Sequence, residues 1–517
     1  MNFCIFGNAT GTRYQINDTS MKKIMIAAAM LAASMTLSAQ PMKRYTTTEQ
    51  SAWQESRASL SSKGSGATVI SLDGSETGTE FRAWGTCFNE LDLDAYRKLD
   101  KASQDKIMHD LFDPQGDLRF TAGRLTMNAN DYAREWYSCS EVPGDFDLRF
   151  FNIDHDKANI IELIHAAQRY NPDMVFFMSP WSPPAWMKIN NEYSVVSGSY
   201  NTQDPRKDYI LYKDADAITD PDEVKLLGPR DGVFPRRLAT QDFFIQEPRY
   251  LQAYADMFSR FIDLYAEENI PITKVMYQNE AYSYTQYPGC AWTAEGTVRF
   301  NAEYLAPTLK ANHPDVELWI GTFNTNRLDY VEKIIDNPSL RSQIKGIGTQ
   351  WECRENLPAI HERYPELRLM CSESECGNGS MDWAAGEHTF SLISDNLGNG
   401  VDEYYIWNFL LPHGGISTWG WKQNALIDFN PEDNSYRYTA EYYAVKHFSN
   451  FVKPGDRIVG YSGREYSKTP VIVVKNESGY IVIAANFTDS PASLNVKLGK
   501  KYLNIKTSPH SFATFVK

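Results

Sequence analysis

Residues 249–268, followed by Lys274-Val275-Met276-Tyr277-Gln278-Asn279-Glu280, form the stretch whose reading decides the fold. In its first part Tyr254, Met257, Phe258, Phe261, Ile262 and Tyr265 recur at spacings of three and four, which makes one apolar helix face. The second part is an apolar run too short for a helix, read as a buried strand, and it stops at an amide and a carboxylate. Similar apolar runs occur at 81–88, 118–125, 174–179, 317–322, 346–349, 368–371 and 401–407. Amphipathic segments lie between them, at 160–169, 293–312 and 328–335 among others. Eight strand–helix alternations over roughly 370 residues predict one closed (β/α)8 TIM barrel over 81–450 rather than an open doubly wound sheet. No glycine-rich phosphate fingerprint follows any of these runs, which argues against nucleotide binding.

The pattern changes outside the barrel. Short apolar runs at 471–475, 480–485, 494–496, 503–506 and 511–516, separated by Gly, Asn, Asp and Pro, predict a β-sandwich over 451–517. A strand at 68–72 is expected to complete that sandwich, so that the barrel is inserted between sandwich strands. Residues 40–80 therefore form an N-terminal arm plus one strand, with the polar, Ser/Thr/Gly-rich part up to 67 expected to be a linker. Ahead of it, Met21-Lys22-Lys23 precedes an apolar run at 24–37 and then Ser38-Ala39-Gln40, the pattern of a secretory signal peptide. Cleavage is expected after Ala39. Residues 1–20 read as an upstream start, which makes 1–39 absent from the mature chain. The apolar run is shorter than the ~20 residues of a spanning helix, so export to the periplasm, cell surface or medium is expected, with no membrane span in the mature chain.

Composition narrows the classes further. The chain has 517 residues with 51 Lys+Arg against 65 Asp+Glu, a net charge of −14, which disfavours a nucleic-acid partner. At 42% hydrophobic and 22% charged residues, wholesale disorder is excluded. Aromatic residues reach 13%, enough to pack a core and also to stack against sugars. Cys4 precedes the signal; the other six, at 87, 139, 290, 353, 371 and 376, permit disulfides whose pairing spacing cannot assign. Cys371 and Cys376 have no second Cys pair or adjacent His, so no zinc site is expected.

Catalytic groups in such barrels project from the C-terminal ends of strands. The fourth strand ends in Asn279-Glu280 and the seventh in Ser372-Glu373-Ser374-Glu375-Cys376. Two carboxyls facing each other across a barrel mouth are what glycosidic cleavage needs, one to protonate the leaving oxygen and one to attack the anomeric carbon. Asn279 is placed to hold the sugar 2-hydroxyl. A surface carboxylate or a salt-bridge partner is the competing reading for either Glu alone.

Several motifs resemble glycoside hydrolase family 30, which includes the glucosylceramidases and the microbial β-1,6-glucanases. Besides Asn279-Glu280 and Ser372-Glu373, they are the first-strand run 81–90, Arg124 with Asp131, and Ser179-Pro180-Trp181-Ser182-Pro183-Pro184-Ala185-Trp186 after strand three. Trp407-Asn408 after strand eight and His447-Phe448-Ser449-Asn450-Phe451 before the sandwich add to these. The resemblance implies a retaining β-glycosidase with Glu280 as acid/base and Glu373 as nucleophile. Glu375 projects to the same side of an extended chain and is the alternative nucleophile; Glu373 is favoured because it directly follows the apolar run and aligns best. Gln350-Trp351 stands where the glucosylceramidases carry His-Trp, while the Glu-Ser-Glu-Cys-Gly run is more similar to the β-1,6-glucanase branch.

The remaining site candidates each have a structural alternative. Arg124 would hold the nucleophile's charge and keep its pKa low, or serve a structural ion pair. Asp131 and Trp181 would bind hydroxyls of the sugar being cleaved. Trp351 and Trp407 are sugar platforms or rim packing, and Gln350 would tune recognition. Trp419-Gly420-Trp421 lies in the loop after strand eight, where stacking on a further sugar competes with packing. Residues 195–245 are a long insertion after strand three that either shapes the cleft or is solvated. The expected function is thus a secreted endo-β-1,6-glucanase acting on a β-linked glucan or oligosaccharide, with no cofactor and no catalytic metal. An exo-acting β-glycosidase (glucosidase, glucosylceramidase-like, fucosidase or xylosidase) is the alternative enzyme. A non-catalytic glycan-binding protein is the alternative of another class. Oligomeric state is left open.

Overall fold

The computed structural model describes residues 41–205, 208, 242–463 and 467–517. The expected signal segment and most of the 195–245 insertion lie outside the described residues. Before the barrel come strands β1 (Met42–Thr48), β2 (Ser51–Ala58), β3 (Leu60–Ser61), β4 (Ala67–Leu72) and β5 (Thr79–Glu80). The eight barrel strands are β6 (Ala83–Cys87), β7 (Ala122–Met127), β8 (Val175–Pro180), β9 (Ile272–Val275), β10 (Glu317–Phe323), β11 (Gly346–Gln350), β12 (Arg368–Glu373) and β13 (Val401–Ile406). They close in the order β10-β11-β12-β13-β6-β7-β8-β9, each pair parallel, as expected of a (β/α)8 barrel.

Ala83, Ala122, Phe177, Met276, Trp319, Met370 and Tyr405 come from seven different strands or strand ends yet pack together, which is possible only inside the barrel. Glycine makes room for the large ones: a Cβ at Gly85 would lie 2.5 Å from the Tyr405 ring. Helices wrap the outside. Pro248–Glu267 buries Tyr254, Met257, Phe258, Phe261, Ile262 and Tyr265, the face anticipated from its spacing. At the start of the strands lies an ion cluster. Arg368 pairs with Asp402 at 2.8 Å, with Glu403, and with Glu317 at 3.8 Å. Lys274 reaches Glu403 at 3.2 Å and Arg82 reaches Asp402 at 3.8 Å.

After the barrel come β14 (Leu410–Pro412), β15 (Ile427–Asn430) and β16 (Ser435–Tyr438), a small sheet in the loop following β13. The sandwich strands are β17 (Arg457–Ser462), β18 (Val471–Asn476), β19 (Gly479–Asn486), β20 (Ala492–Leu498), β21 (Lys501–Thr507) and β22 (Ser511–Val516). One sheet runs β2-β1-β22-β19-β18-β17-β5 and the other β3-β21-β20-β4. Val471 and Val473 face the second sheet, whereas Ile472 and Val474 join the barrel-side core, so β18 is apolar throughout because both its faces are buried.

One expectation is corrected here. The stretch up to residue 67 is not a linker, because β1 lies hydrogen-bonded between β2 and β22. Met42 and Thr47 are buried while β2 at the sheet edge is mostly solvent-facing, so an edge hairpin carries a polar composition that imitates a linker. His447, on the helix Ala440–Ser449, links barrel to sandwich through Thr514 Oγ1 (2.8 Å) and Thr47 Oγ1 (2.9 Å), and burial pushes its imidazole down to about 3. All six described cysteines are buried free thiols.

Candidate active site

The C-terminal ends of the barrel strands surround a cavity of about 240 Å³. Asp131, Trp181, Asn279, Glu280, Trp351 and Glu373 border it, together with Tyr287, Asn324, Cys376 and Trp421. Six of the nine residues singled out from the sequence thus face one space.

Glu280 lies beyond β9 on a turn that the neighbouring strands hold in place. Asn279 N donates to Pro180 O at 2.7 Å and Glu280 N to Thr322 O at 3.2 Å. Glu280 has φ 49°, a left-handed conformation that costs a non-glycine residue energy and is seen chiefly where surroundings impose it. Its carboxylate accepts from Tyr287 Oη (2.9 Å) and Asn324 Nδ2 (2.8 Å), both neutral donors.

Glu373 is the last residue of β12, and its surroundings differ. Its Oε2 accepts from Arg124 Nη1 at 2.6 Å and Gln350 Nε2 at 3.2 Å, while Cys376 Sγ approaches Oε1 at 3.9 Å. Arg124 is fully buried in β7 and lies over the Trp181 ring at 4.4 Å. It also donates to Asn279 Oδ1 at 2.8 Å, to Ser179 Oγ at 3.1 Å and to Ser372 O at 3.2 Å. Asn279 Oδ1 takes two more bonds at 2.8 Å, from Gln350 Nε2 and Thr322 Oγ1, which fixes the orientation of the amide.

Burial raises the Glu373 carboxyl above its ordinary range; Arg124 opposes this, and the charges of Glu280 and Asp131 add to it. The expectation that Arg124 keeps this group low is therefore corrected: among the described residues, three carboxyls share the site with one buried guanidinium. Asp131 is pushed up to about 7, first by burial and then by Glu280.

Three candidates expected to meet substrate lie one layer behind the cavity wall. Arg124 and Gln350 act through Glu373 and Asn279. Trp407 stacks on the back of Trp181 (centroids 5.0 Å) and meets Tyr132 edge-on, because β13 stops at Ile406 and the chain turns inward. Glu375 stands outside β12, where the extended register that would align it with Glu373 has ended, and it pairs with His388. It borders the cavity without reaching Arg124's guanidinium, which Glu373 occupies.

Tyr287 and Asn324 escaped the sequence reading. Asn324 directly follows β10, so the rule that found Glu280 could have found it. Tyr287 sits seven residues past Glu280 in an irregular loop with no periodic signal. The tripeptide 419–421 divides: Trp419 is buried, whereas Trp421 stands on the cavity rim.

Comparison with known proteins agrees with this geometry. The family model described as "Glycosyl hydrolase family 30 TIM-barrel domain" matches residues 81–212 and 245–452. The lysosomal acid glucosylceramidase of Mus musculus is 24% identical over 413 residues, covering 74% of this chain and 70% of that protein. Endo-1,6-beta-D-glucanase BGN16.3 of Trichoderma harzianum is 21% identical over 410 residues, covering 76% and 74%. Among solved structures, SrfJ from Salmonella typhimurium superposes with a TM-score of 0.76 at 19% identity, over 92% of this chain and 99% of that one.

Proposed function

The chain belongs to glycoside hydrolase family 30 and is a glycoside hydrolase, and on that premise we propose that it is an endo-β-1,6-glucanase working by double displacement with retention. The observation that carries the mechanism is the contrast between the two carboxyls on one cavity. Glu373 rests on a buried cation, whereas Glu280 is held by neutral donors. In the proposed roles Arg124 offsets the negative charge of Glu373, which burial and the two neighbouring carboxyls oppose, while Glu280 is the carboxyl held by a hydroxyl and an amide.

In the first step Glu373 Oε1, the oxygen not engaged by Arg124, attacks the anomeric carbon. The bond to the leaving oxygen breaks as that oxygen takes the Glu280 proton. In the second step the Glu280 carboxylate removes a proton from water and the resulting oxygen attacks the anomeric carbon. The glycosyl ester then breaks, and Glu373 returns as a carboxylate. Asn279, turned by its three donors so that Oδ1 faces inward, offers its Nδ2 to the sugar 2-hydroxyl, a contact that strengthens as positive charge develops. Asp131 and Trp181 hold the remaining hydroxyls of the same sugar.

Two relatives' names carry the candidate specificities, glucosylceramidase and endo-1,6-β-glucanase. The Glu373-Ser374-Glu375-Cys376-Gly377 run and Gln350 support the glucanase reading; the glucosylceramidase name supports an exo-acting β-glucosidase as the second. Product analysis on β-1,6-, β-1,3- and β-1,4-glucans decides. Mixed oligomers from the β-1,6 polymer are expected, and single sugars from chain ends alone would overturn the endo assignment. Trapping with a 2-fluoro glycoside is expected to label Glu373; labelling that survives Glu373→Gln would transfer the role to Glu375. The pattern at 21–40 supports export, and secreted material is expected to begin at Gln40.

A further inference from the structure

The loop after β13 carries aromatic residues that the mechanism leaves unused. Within three consecutive residues the chain sends one Trp into the core and the next to the surface. Trp419 is buried in a cluster with Ala129, Ala133 and Tyr137, and Tyr193 lies 6.3 Å from its ring. Gly420 has φ +84°, a reversal open to glycine, and Trp421 emerges 41% exposed on the cavity rim. The reversal is held by Ser417 N donating to Trp421 O at 2.7 Å, Gly420 N to Ser417 O at 3.1 Å, and Thr418 Oγ1 to Ala133 O at 2.7 Å. Trp421 is therefore presented by a fixed turn rather than by a free loop.

One contact ties this ring to Glu280. On its inner side it meets Tyr287 edge-on, with centroids 5.8 Å apart, and Tyr287 donates to Glu280. Beside it the Tyr200 ring lies against Gly420, so closely that a Cβ there would sit 2.4 Å from a ring carbon. Tyr200 is 57% exposed. Contacts thus run from Glu280 through Tyr287 to Trp421, and Tyr200 touches the neighbouring Gly420 backbone. Trp421, left in water on the rim of a polar cavity, and the exposed Tyr200 ring suit the apolar faces of pyranose rings, whose edges still need water or polar partners. Lys422 and Gln423, which also border the cavity, supply polar groups at the inner end.

We propose that Trp421 and Tyr200 form a sugar-binding platform on the leaving-group side of the scissile bond, taking two or more consecutive residues of a β-glucan chain. The side follows from Glu280: the carboxyl that protonates the leaving oxygen faces the departing sugar, and Tyr287 joins that carboxyl to Trp421. The inference rests on the proposed roles of Glu280 and Glu373. It deepens the endo reading, because a platform beyond the point of cleavage is useful to an enzyme that binds chain on both sides of the cut.

The test separates leaving-group binding from chemistry. Trp421→Ala, Tyr200→Ala and the double variant are assayed on polymeric β-1,6-glucan, on an oligosaccharide ladder, and by inactivation with 2-deoxy-2-fluoro-β-glucosyl fluoride, whose leaving group carries no sugar. Trp421→Ala is expected to raise KM on the polymer by roughly tenfold, the scale of one large aromatic contact, and Tyr200→Ala by less. Cleavage positions on the ladder should shift, and the inactivation rate should change less than about twofold, since nothing on the reacting sugar is touched. Equal losses on the polymer and the fluoride would overturn the platform in favour of a structural role. So would unchanged kinetics on both. A native chain that neither cleaves glucan nor is labelled removes the functional reading and the platform with it. A native chain that does both, beside an unaffected Trp421→Ala, removes the platform alone.

Discussion

The two ends of the barrel hold two charge clusters built to opposite plans. At the start of the strands Glu317, Asp402 and Glu403 meet three cations, Arg82, Lys274 and Arg368. At the other end Asp131, Glu280 and Glu373 border a cavity and, among the described residues, share one buried guanidinium, that of Arg124. Carboxylates matched by cations are a structural arrangement, whereas surplus carboxyls facing a cavity are held at a cost in stability. The bottom of the barrel should therefore govern folding and the mouth should govern chemistry, which can be tested end against end.

The largest effect is expected from the mouth. Glu373→Gln and Glu280→Gln should each lower kcat on glucan by about 10³-fold or more. The thermal unfolding of Glu280→Gln should be unchanged or shifted upward, because it removes a charge from a crowded site, whereas Glu373→Gln also takes the carboxylate from the buried Arg124 and should melt lower. A marked loss of stability in Glu280→Gln would break the contrast between the two ends.

Arg368→Met is the converse. It removes the closest cation from two buried carboxylates, leaving them Lys274 and Arg82 at 3.2 and 3.8 Å, so calorimetry should show a loss of about 2 kcal/mol, with kcat per folded molecule retained. A collapse of kcat in the folded fraction would mean that the two ends are coupled.

Asp131→Asn sharpens the electrostatics of the mouth. Asp131 raises the Glu373 carboxyl, and in its proposed role Glu373 must be ionised to attack. Removing that charge should move the acid limb of the kcat/KM profile to lower pH, by about half to one unit. Stability carries a second sign. The Asp131 carboxyl stands at about 7 in the folded chain, so the stability that accompanies its protonated form is complete below about pH 4 and lost as pH rises through 7. The Asn variant should therefore melt above the native chain at pH 8 and match it near pH 4.

The smallest effect belongs to Glu375→Gln. It borders the cavity but pairs with His388, so a loss of less than about tenfold in kcat is expected. A loss as great as that of Glu373→Gln would reassign the nucleophile.

Much of this was legible in the sequence where a local pattern had a local cause. The helix Pro248–Glu267 buries the face its spacing marked out, and the eight apolar runs became the eight strands because parallel barrel strands are buried on both sides. Glu280 and Glu373 stood out because a polar residue ending an apolar run must face something other than core. The hairpin formed by β1 and β2 was misread because an edge pair with one face in water has no apolar run to detect. Tyr287 gave no signal because an irregular loop has no period.

The sequence by itself determined which element each functional side chain ends, and therefore which residues reach the barrel mouth. That followed from hydrophobic periodicity, which is local. Only the tertiary structure decided which of them touch each other. It placed Arg124 on Glu373, turned Trp407 behind Trp181, drew Gln350 onto Asn279, and separated Trp419 from Trp421 across one glycine. Those choices depend on strand closure and on competition for buried hydrogen-bond donors between segments as much as 249 positions apart, which no window along the chain contains.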